Sequence, residues 1–387
     1  MPSCCGFRCT SGGVTRRDEP GTPPLETTEM KGIILAGGKG TRLRPITFTG
    51  AKQLVPVANK PVLFYAIEDL VDAGIVDIGI VVPSDFPMGR EQIMAAVGDG
   101  STFGARVTYI EQDAPRGLAH AVGICQAFVG MDKFVVFLGD NFIREGIAEQ
   151  ARAFRDGAMN TILLLHRVPD PSGLGVAVVQ DGRVVELQEK PPVPKSDLAI
   201  VGIYFLDHHF FEAAQGLKPS ARGELEITDA LSKLIAMGCD VRPEMVTGYW
   251  IDTGKHIDML DANRLILDTL ETRIDGTVDA DSHVSGRVVI EAGARLVRST
   301  VRGPAIIGAG TVLTDTFIGP FTAIGDGCAI TSSEIAHSIV LDSSRIENIE
   351  ERIEDSLIGR NVDLRKAATR PRGHKFLLGD NSSLELR

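Results

Sequence analysis

The chain has 387 residues, which exceeds the usual size of one hydrophobic core and predicts two domains. Hydrophobic residues make up 43% and charged residues 24%, both ordinary values for a globular protein. The net charge of −11 argues against a nucleic-acid binder, because phosphate backbones attract basic surfaces. A small pocket for a phosphate-bearing ligand stays compatible with this charge.

The composition also argues against a membrane or secreted protein. No run of about 18 apolar residues occurs, and no apolar segment follows Arg16 and Arg17. Three of the six cysteines lie within the first ten residues, without a second ligand pair for zinc. We therefore expect reduced thiols, no membrane partner and a cytoplasmic location.

Residues 1–29 are rich in Gly, Pro, Thr and Ser and have no periodicity, which predicts a disordered extension, with Met30 as a possible functional start. Residues 30–270 alternate short apolar runs with helical patterns. Such alternation predicts an α/β domain with a Rossmann-like, mostly parallel sheet. Four runs are predicted to be buried strands: Gly32–Ala36, Ile75–Val82, Phe134–Leu138 and Thr161–Leu165.

A helix is predicted over Asn59–Ala73, with Asn59 as its cap, Pro61 in its first turn and Gly74 after its end.

A different period begins near residue 276. Apolar residues recur every six positions at Val278, Val284, Ile290 and Leu296, and again, after a one-residue slip, from Ile306 and Val312 through Ile318, Ile324 and Ile330. The period loosens through Ile346, Ile353 and Ile358. A six-residue repeat is typical of a triangular parallel β-helix with one apolar residue per side. We predict this β-helix over residues 276–369, followed by a tail over 370–387.

The first predicted strand runs into a glycine-rich loop, Gly37-Gly38-Lys39-Gly40-Thr41-Arg42. Glycines let a backbone approach phosphate closely, and consecutive N–H groups can cradle an anion. The loop has neither the Walker A pattern nor the full dinucleotide fingerprint. Arg42 and Lys52 are suited to neutralising a triphosphate and a leaving pyrophosphate.

The chain resembles the sugar nucleotidyltransferases in a series of motifs that run in family order. They are LAGGKGTRLRP, AKQLVPVANKP, EQDAPRGLAHA, FLGDN, LQEKP, VGIYFLD, GELEITD and YWIDTG, between residues 35 and 254. Together with the C-terminal repeat, they make the chain similar to the long form of the glucose-1-phosphate thymidylyltransferases. That form has a left-handed β-helix and is found with deoxysugar pathways.

The resemblance implies a role for each matching position. Asp140 and Asp252, each after a predicted strand, would share Mg²⁺ bound to nucleotide phosphates. Catalysis would involve Arg42, Lys52 and Lys190. The nucleotide would be held by Leu35, Gly37, Gly38, Gly40, Thr41, Arg42, Gln112 and Gly117, of which Gln112 and Gly117 match the positions that read the base. The sugar phosphate would be held by Gly175, Glu189, Lys190, Val201 and Tyr204. Gly202 also matches the sugar pocket, and Glu224 lies in the GELEITD loop before a helix.

The implied reaction is an in-line displacement between a nucleoside triphosphate, expected to be dTTP, and a sugar 1-phosphate, expected to be glucose 1-phosphate. A phosphate oxygen of the sugar attacks the α-phosphorus, and pyrophosphate leaves. Positioning and charge neutralisation would supply the rate, without a covalent nucleophile.

Three alternatives stay open. The chain could transfer another nucleotide, or use a cyclitol or amino-sugar phosphate, because a Gln cannot by itself separate thymine from uracil. It could be an inactive regulatory or scaffold subunit. It could also be bifunctional, with acyl transfer on the β-helix, where His337 and His374 are candidates by residue type only. We expect the β-helix to support a homo-oligomer instead.

Overall fold

The computed structural model describes residues 30–366 and 374–385. The predicted extension over residues 1–29 lies outside the described residues, and so do parts of the predicted tail. Residues 374–385 contain no helix or strand. Within the described ranges, no helix is both long enough and apolar enough to cross a membrane.

The first part of the chain, taken as the described residues 30–270, contains thirteen strands and eight α-helices, numbered in chain order. The strands are β1 Met30–Leu35, β2 Pro56–Val57, β3 Lys60–Pro61, β4 Asp77–Pro83, β5 Arg106–Gln112, β6 Lys133–Leu138, β7 Asn141–Ile143, β8 Thr161–Arg167, β9 Gly175–Gln180, β10 Arg183–Glu189, β11 Leu198–Leu206, β12 Val241–Met245 and β13 Trp250–Asp252. The helices are α1 Val62–Asp72, α2 Pro87–Val97, α3 Leu118–Gly123, α4 Gln126–Val129, α5 Ala148–Asp156, α6 His209–Ala214, α7 Ile227–Ala236 and α8 His256–Leu267. Short 3₁₀ turns lie at Thr41–Leu43, Ile46–Phe48, Lys52–Leu54 and Ser101–Phe103.

The central sheet confirms the Rossmann-like class and is mixed in direction. Its main path is β10-β9-β11-β6-β1-β4-β5, with β8 on β11 and β12 on β8. Strands β6, β1, β4 and β5 are parallel, whereas β11 runs antiparallel to β6, β8 and β9. The carboxyl ends of the parallel strands therefore lie at one sheet edge, where ligands of such folds bind.

Two hydrophobic cores cover the two faces of this sheet. Helices α1, α2 and α5 contribute to one core, and helices α3, α4, α6 and α7 to the other. Alternate residues of a strand enter opposite cores: Ile34 lies in the first and Ile33 in the second. Continuous apolar runs in the sequence thus correspond to strands that are buried on both faces.

The helix predicted from Asn59 begins three residues later than expected. Lys60–Pro61 pairs with Pro56–Val57 as a small antiparallel ribbon, so the helix begins at Val62. Asn59 has a left-handed backbone (φ 61°), and its side chain donates to Ile324 O over 2.7 Å. The capping role predicted for Asn59 was therefore wrong, because a tertiary contact uses its amide.

Sixteen short parallel strands follow, stacked in three sheets. The first sheet contains β14 Arg273–Ile274, β17 Val288–Ile290, β20 Ala305–Ile307, β23 Thr322–Ile324, β26 Ile339–Val340 and β28 Leu357–Ile358. The second contains β15 Thr277–Val278, β18 Arg295–Val297, β21 Val312–Thr314, β24 Ala329–Thr331, β27 Arg345–Glu347 and β29 Asp363–Arg365. The third contains β16 His283–Ser285, β19 Thr300–Arg302, β22 Phe317–Ile318 and β25 Glu334–Ile335. The predicted β-helix is confirmed.

Two positions of the predicted apolar repeat were wrong by one residue. Ile307 and Leu313, not Ile306 and Val312, fill the interior of the β-helix. Stacked partners are 17 residues apart, as in Leu313↔Ile330, so one side of each triangular coil has five residues instead of six. The slip in the sequence period therefore recurs in each of these coils. Ile306 instead lies on an outer face.

That outer face packs against the first part of the chain. Ile306, Ala323 and Ile339 form one hydrophobic cluster with Val57 and Met259. The first β-helix sheet therefore packs against α8 and against the β2–β3 ribbon.

Candidate active site

Two carboxylates from distant parts of the chain meet at the edge of the central sheet. Asp140 follows β6, and Asp252 ends β13, whose partner β7 begins at Asn141. The backbone N–H and the hydroxyl of Thr253 both donate to Asp140 O, over 2.9 and 2.7 Å. Lys52 Nζ contacts the Asp140 carboxylate and lies 4.0 Å from Asp252 Oδ1. The tertiary fold thus brings together the pair that the sequence predicts as metal ligands.

The carboxyl group of Asp252 is buried beside a second carboxylate, that of Asp140. Burial, and then the charge of Asp140, raise the pKa of Asp252 to about 6, against the opposing effects of Lys52 and Arg42. Asp252 Oδ1 is buried and accepts no hydrogen bond within the described part of the chain. Hard oxygen ligands with an unsatisfied buried oxygen suit Mg²⁺, so the residues present fit this ion.

The glycine-rich loop lies beside these carboxylates. A Cβ on Gly40 would come within 2.8 Å of Lys52 Cβ, and one on Gly37 within 2.8 Å of Gln112 Oε1. The Arg42 guanidinium, which is exposed, lies over Gly254, where a Cβ would come within 2.8 Å of Nη2. The loop therefore needs its small residues to hold Arg42, Lys52 and Gln112 close together.

The other residues predicted to hold the nucleotide, Leu35, Gly38 and Thr41, lie around this loop. Leu35 O accepts a hydrogen bond from Gly139 N over 3.0 Å, which ties the loop to the segment that carries Asp140. Gly38 lies near the amide of Gln53, and Thr41 is exposed at the start of a 3₁₀ turn.

Gly117 is required by a contact between two loops. Its φ is 107°, and a Cβ there would lie 2.5 Å from Leu225 O and 2.6 Å from Leu225 N. Leu225 N donates to Arg116 O over 2.7 Å, and Ala119 N donates to Leu225 O over 3.0 Å. The space at Gly117 is therefore filled by the backbone of the loop before α7, and the base-binding role predicted for this glycine stays a prediction.

Glu189, the last residue of β10, lies in a second polar cluster. It accepts hydrogen bonds from Thr228 Oγ1 and Arg222 Nη1, each over 3.1 Å. Burial is the main cause that raises the pKa of Glu189. Lys190 Nζ is 3.9 Å from Glu189 Oε1 and its side chain is exposed, and Glu224 pairs with Arg222.

The other predicted sugar residues are divided between the two faces of the sheet. Tyr204 is buried in the second core, where burial and the charge of Glu189 raise the pKa of its hydroxyl. Val201 is fully buried in the first core, so its side chain does not join Tyr204. Gly175 pairs with Glu189, and Gly202 leaves room for the Asn141 side chain.

Four residues at this site were missed by sequence reasoning. Gln53 is nearly fully buried, and no hydrogen bond to its Oε1 is present in the described ranges. Asn141 accepts from Trp250 Nε1 over 2.6 Å and donates to Asp140. Arg222 binds Glu189, and His120 contacts Gln112. Three of the four lie inside the motifs quoted above, beside residues that were singled out, and Arg222 directly precedes GELEITD.

The histidines considered for acyl transfer have separate surroundings. His337 contacts Asp355 on the β-helix, and the ring of His374 stacks on Phe376 at 5.6 Å. No contact joins these two histidines in the part of the chain that the structure describes.

Comparison with known proteins agrees with this geometry. The model of the family described as "Nucleotidyl transferase" matches residues 31–269. A glucose-1-phosphate thymidylyltransferase of Streptomyces antibioticus is 53% identical over 92% of this chain and 100% of its own length. The low-salt glycan biosynthesis nucleotidyltransferase Agl11 of Haloferax volcanii is 44% identical, over 92% of this chain and 100% of its own length.

A solved structure resembles the first part of the chain. A Bacillus anthracis protein, described as a candidate glucose-1-phosphate thymidylyltransferase in complex with sucrose, has a TM-score of 0.59 and 39% identity. It covers 63% of this chain and 98% of its own length. The family model matches more than half of the chain, and the Streptomyces antibioticus relative is similar over its full length. This chain therefore belongs to the nucleotidyl transferase family.

Proposed function

We propose that this protein transfers a thymidylyl group from dTTP to glucose 1-phosphate, giving dTDP-glucose and pyrophosphate for deoxysugar biosynthesis. The observation that carries the proposal is the convergence of Arg42, Lys52, Asp140 and Asp252 beside Gln112 at one sheet edge. The full-length similarity to the Streptomyces antibioticus enzyme supports the choice of substrates.

In the proposed reaction, an oxygen of the sugar phosphate attacks the α-phosphorus of the nucleotide, and the bond to the β-phosphate oxygen breaks. Arg42 and Lys52 bind the triphosphate and neutralise the charge that develops on the departing pyrophosphate. Lys190 binds the sugar phosphate as a compact cation, and Glu189 accepts hydrogen bonds from sugar hydroxyls. Arg42, Lys52 and Lys190 together reduce the repulsion between the two anionic substrates.

Asp140 and Asp252 would hold Mg²⁺, which supplies Lewis-acid neutralisation of the nucleotide phosphates when bound. Lys52 already balances part of the charge of these carboxylates. The carboxylate oxygens of both residues are ligands of the kind that Mg²⁺ prefers.

The test is a panel of nucleoside triphosphates against several sugar 1-phosphates, with pyrophosphate release as the readout. We expect dTTP with glucose 1-phosphate to have the highest kcat/KM. A higher value for a purine nucleotide, or for another sugar or cyclitol phosphate, would overturn the assignment.

A second candidate is a nucleotidyltransferase with another substrate pair. The Haloferax volcanii relative, 44% identical over its whole length, is named for glycan biosynthesis without a base or sugar. The same panel separates the two candidates. An inactive scaffold is disfavoured, because every charged residue proposed for catalysis is present in the sequence and Lys52 lies beside both Asp140 and Asp252.

A further inference from the structure

The amide of Gln112 is held between the glycine-rich loop and α3. Gln112 ends β5 and is only 8% exposed. Its Nε2 lies 3.3 Å from His120 Nδ1, and its Oε1 faces Gly37. The other ring nitrogen, His120 Nε2, lies 3.4 Å from Asp113 Oδ1. The His120 ring thus lies between the Gln112 amide and the Asp113 carboxylate.

The chemistry of these groups sets the direction of each hydrogen bond. An amide nitrogen can only donate, so His120 Nδ1 accepts from Gln112 Nε2. With Nδ1 as the acceptor, the ring proton lies on Nε2, the nitrogen that faces the Asp113 carboxylate. The Asp113 carboxylate itself accepts from Arg116 Nη2 over 2.6 Å. Rotating the Gln112 amide by 180° would place its oxygen against an acceptor nitrogen, which is unfavourable.

We propose that His120 is a specificity-determining residue that fixes the orientation of the Gln112 amide and so selects thymine and uracil over cytosine. This role rests on the proposed function and on the prediction, from the family resemblance, that Gln112 reads the base. Thymine and uracil present an N3–H donor next to a carbonyl acceptor, and cytosine presents an N3 acceptor next to an amino donor. A fixed amide complements the first pattern, and only a rotated amide complements the second.

The test compares kcat/KM for dTTP, UTP and dCTP, each with glucose 1-phosphate, in wild type, His120→Leu and His120→Asn. Leucine has a similar size and no polar atom, so the amide becomes free to rotate. We expect the dTTP:dCTP ratio to fall by tenfold or more in His120→Leu. The dTTP:UTP ratio should stay within about twofold, because the two bases share the same donor and acceptor pattern.

His120→Asn is the intermediate variant, since an asparagine amide oxygen can accept from Gln112 Nε2 but the asparagine amide can also rotate and donate. It should therefore keep only part of the dTTP:dCTP ratio, between wild type and His120→Leu. An unchanged ratio in His120→Leu, or an equal loss for all three nucleotides, would overturn the role of His120. If wild type prefers a purine nucleotide, the proposed function itself fails, and that outcome is visible without any variant.

Discussion

Lys52 occupies a position that connects the phosphate loop with both acidic residues of the site. Its ammonium contacts Asp140 and lies 4.0 Å from Asp252, and its side chain is only 7% exposed. The Lys52 charge acts to lower the pKa of Asp252, against the stronger effect of burial, and so favours the ionised form that would bind Mg²⁺. The residue proposed to neutralise phosphate charge therefore also acts on a proposed metal ligand.

Replacing either carboxylate by its amide should reduce turnover strongly. Asp140→Asn and Asp252→Asn each keep the side-chain shape and remove one negative charge, so we expect kcat to fall about 100-fold or more. The double variant should be little worse than either single variant, because both side chains serve one ion. Pyrophosphate release at saturating Mg²⁺ measures this.

Asp181→Asn, in an exposed turn remote from the carboxylate pair in sequence, is the matched control and should keep wild-type turnover. Thermal unfolding midpoints should be similar for all variants. Near-normal turnover of either single variant at saturating Mg²⁺ would exclude a shared-metal role.

Asp69 in α1 should make the stability of the protein depend on pH. Burial is the main cause that raises its pKa to about 7, and Asp72 and Glu68 add to it, whereas Lys60 opposes it. The folded state therefore keeps a proton that the unfolded chain has lost above about pH 4. The free energy of unfolding should fall as pH rises from about 4 to 7 and change little from this group above pH 7.

Asp69→Asn mimics the protonated side chain, so it should stabilise the protein at pH 8 by roughly 1–3 kcal/mol and have little effect at pH 4. Urea unfolding at both pH values measures the difference. The exposed Asp181→Asn serves as the control. A gain at pH 8 no larger than the control's would show that Asp69 is ionised at little cost in the folded protein.

The coils of the β-helix depend on which residue of each short strand points inward. In β21, Leu313 is fully buried in the interior, and its neighbours Val312 and Thr314 point outward. Successive residues of a strand face opposite sides, so adjacent substitutions test the register directly. The same logic applies to β20, where Ile307 points inward and Ile306 packs against the first part of the chain.

Leu313→Ala should destabilise the protein by about 2–5 kcal/mol, because it leaves a cavity in a packed interior. Val312→Ala removes a smaller and only half-buried side chain, so we expect less than about 1 kcal/mol. Denaturant unfolding measures both. Equal losses, or a larger loss for Val312→Ala, would contradict the inward position of Leu313.

At the scale of the whole molecule, the β-helix and the first part of the chain share one apolar interface. Asn263, with no exposed surface, bridges them: its Oδ1 accepts from Ala58 N over 2.9 Å, and its Nδ2 donates to Phe321 O over 3.0 Å. The first β-helix sheet therefore packs against the first part of the same chain. We predict that the other two sheets contact neighbouring subunits of a homo-oligomer.

Truncation before Asp275 should reduce the oligomer size and lower solubility, because it removes those two sheets and exposes the apolar cluster around Val57 and Met259. Light scattering after size-exclusion chromatography measures the mass. Asn263→Ala is the control: it should lower the unfolding midpoint and keep the oligomer, since the β-helix stays in place. A monomeric full chain, or a truncated chain with the native oligomer size, would contradict assembly through the β-helix.

The sequence by itself was sufficient for the features that depend on local order along the chain. Buried strands such as Phe134–Leu138 were recognisable as apolar runs, and the β-helix as a six-residue period. Asp140, two residues after the last residue of β6, was predicted at the ligand-binding edge, and its metal-binding role stays a prediction. These signals are local because period and strand ends are properties of neighbouring residues.

Only the tertiary structure decided which distant groups touch. The position of Lys52 between two carboxylates, and of Leu225 against Gly117, depends on how separate loops pack. The inward choice of Leu313 over Val312 depends on stacking with the next coil, since both residues are apolar. Such contacts arise from long-range packing, for which a single sequence carries no local signal.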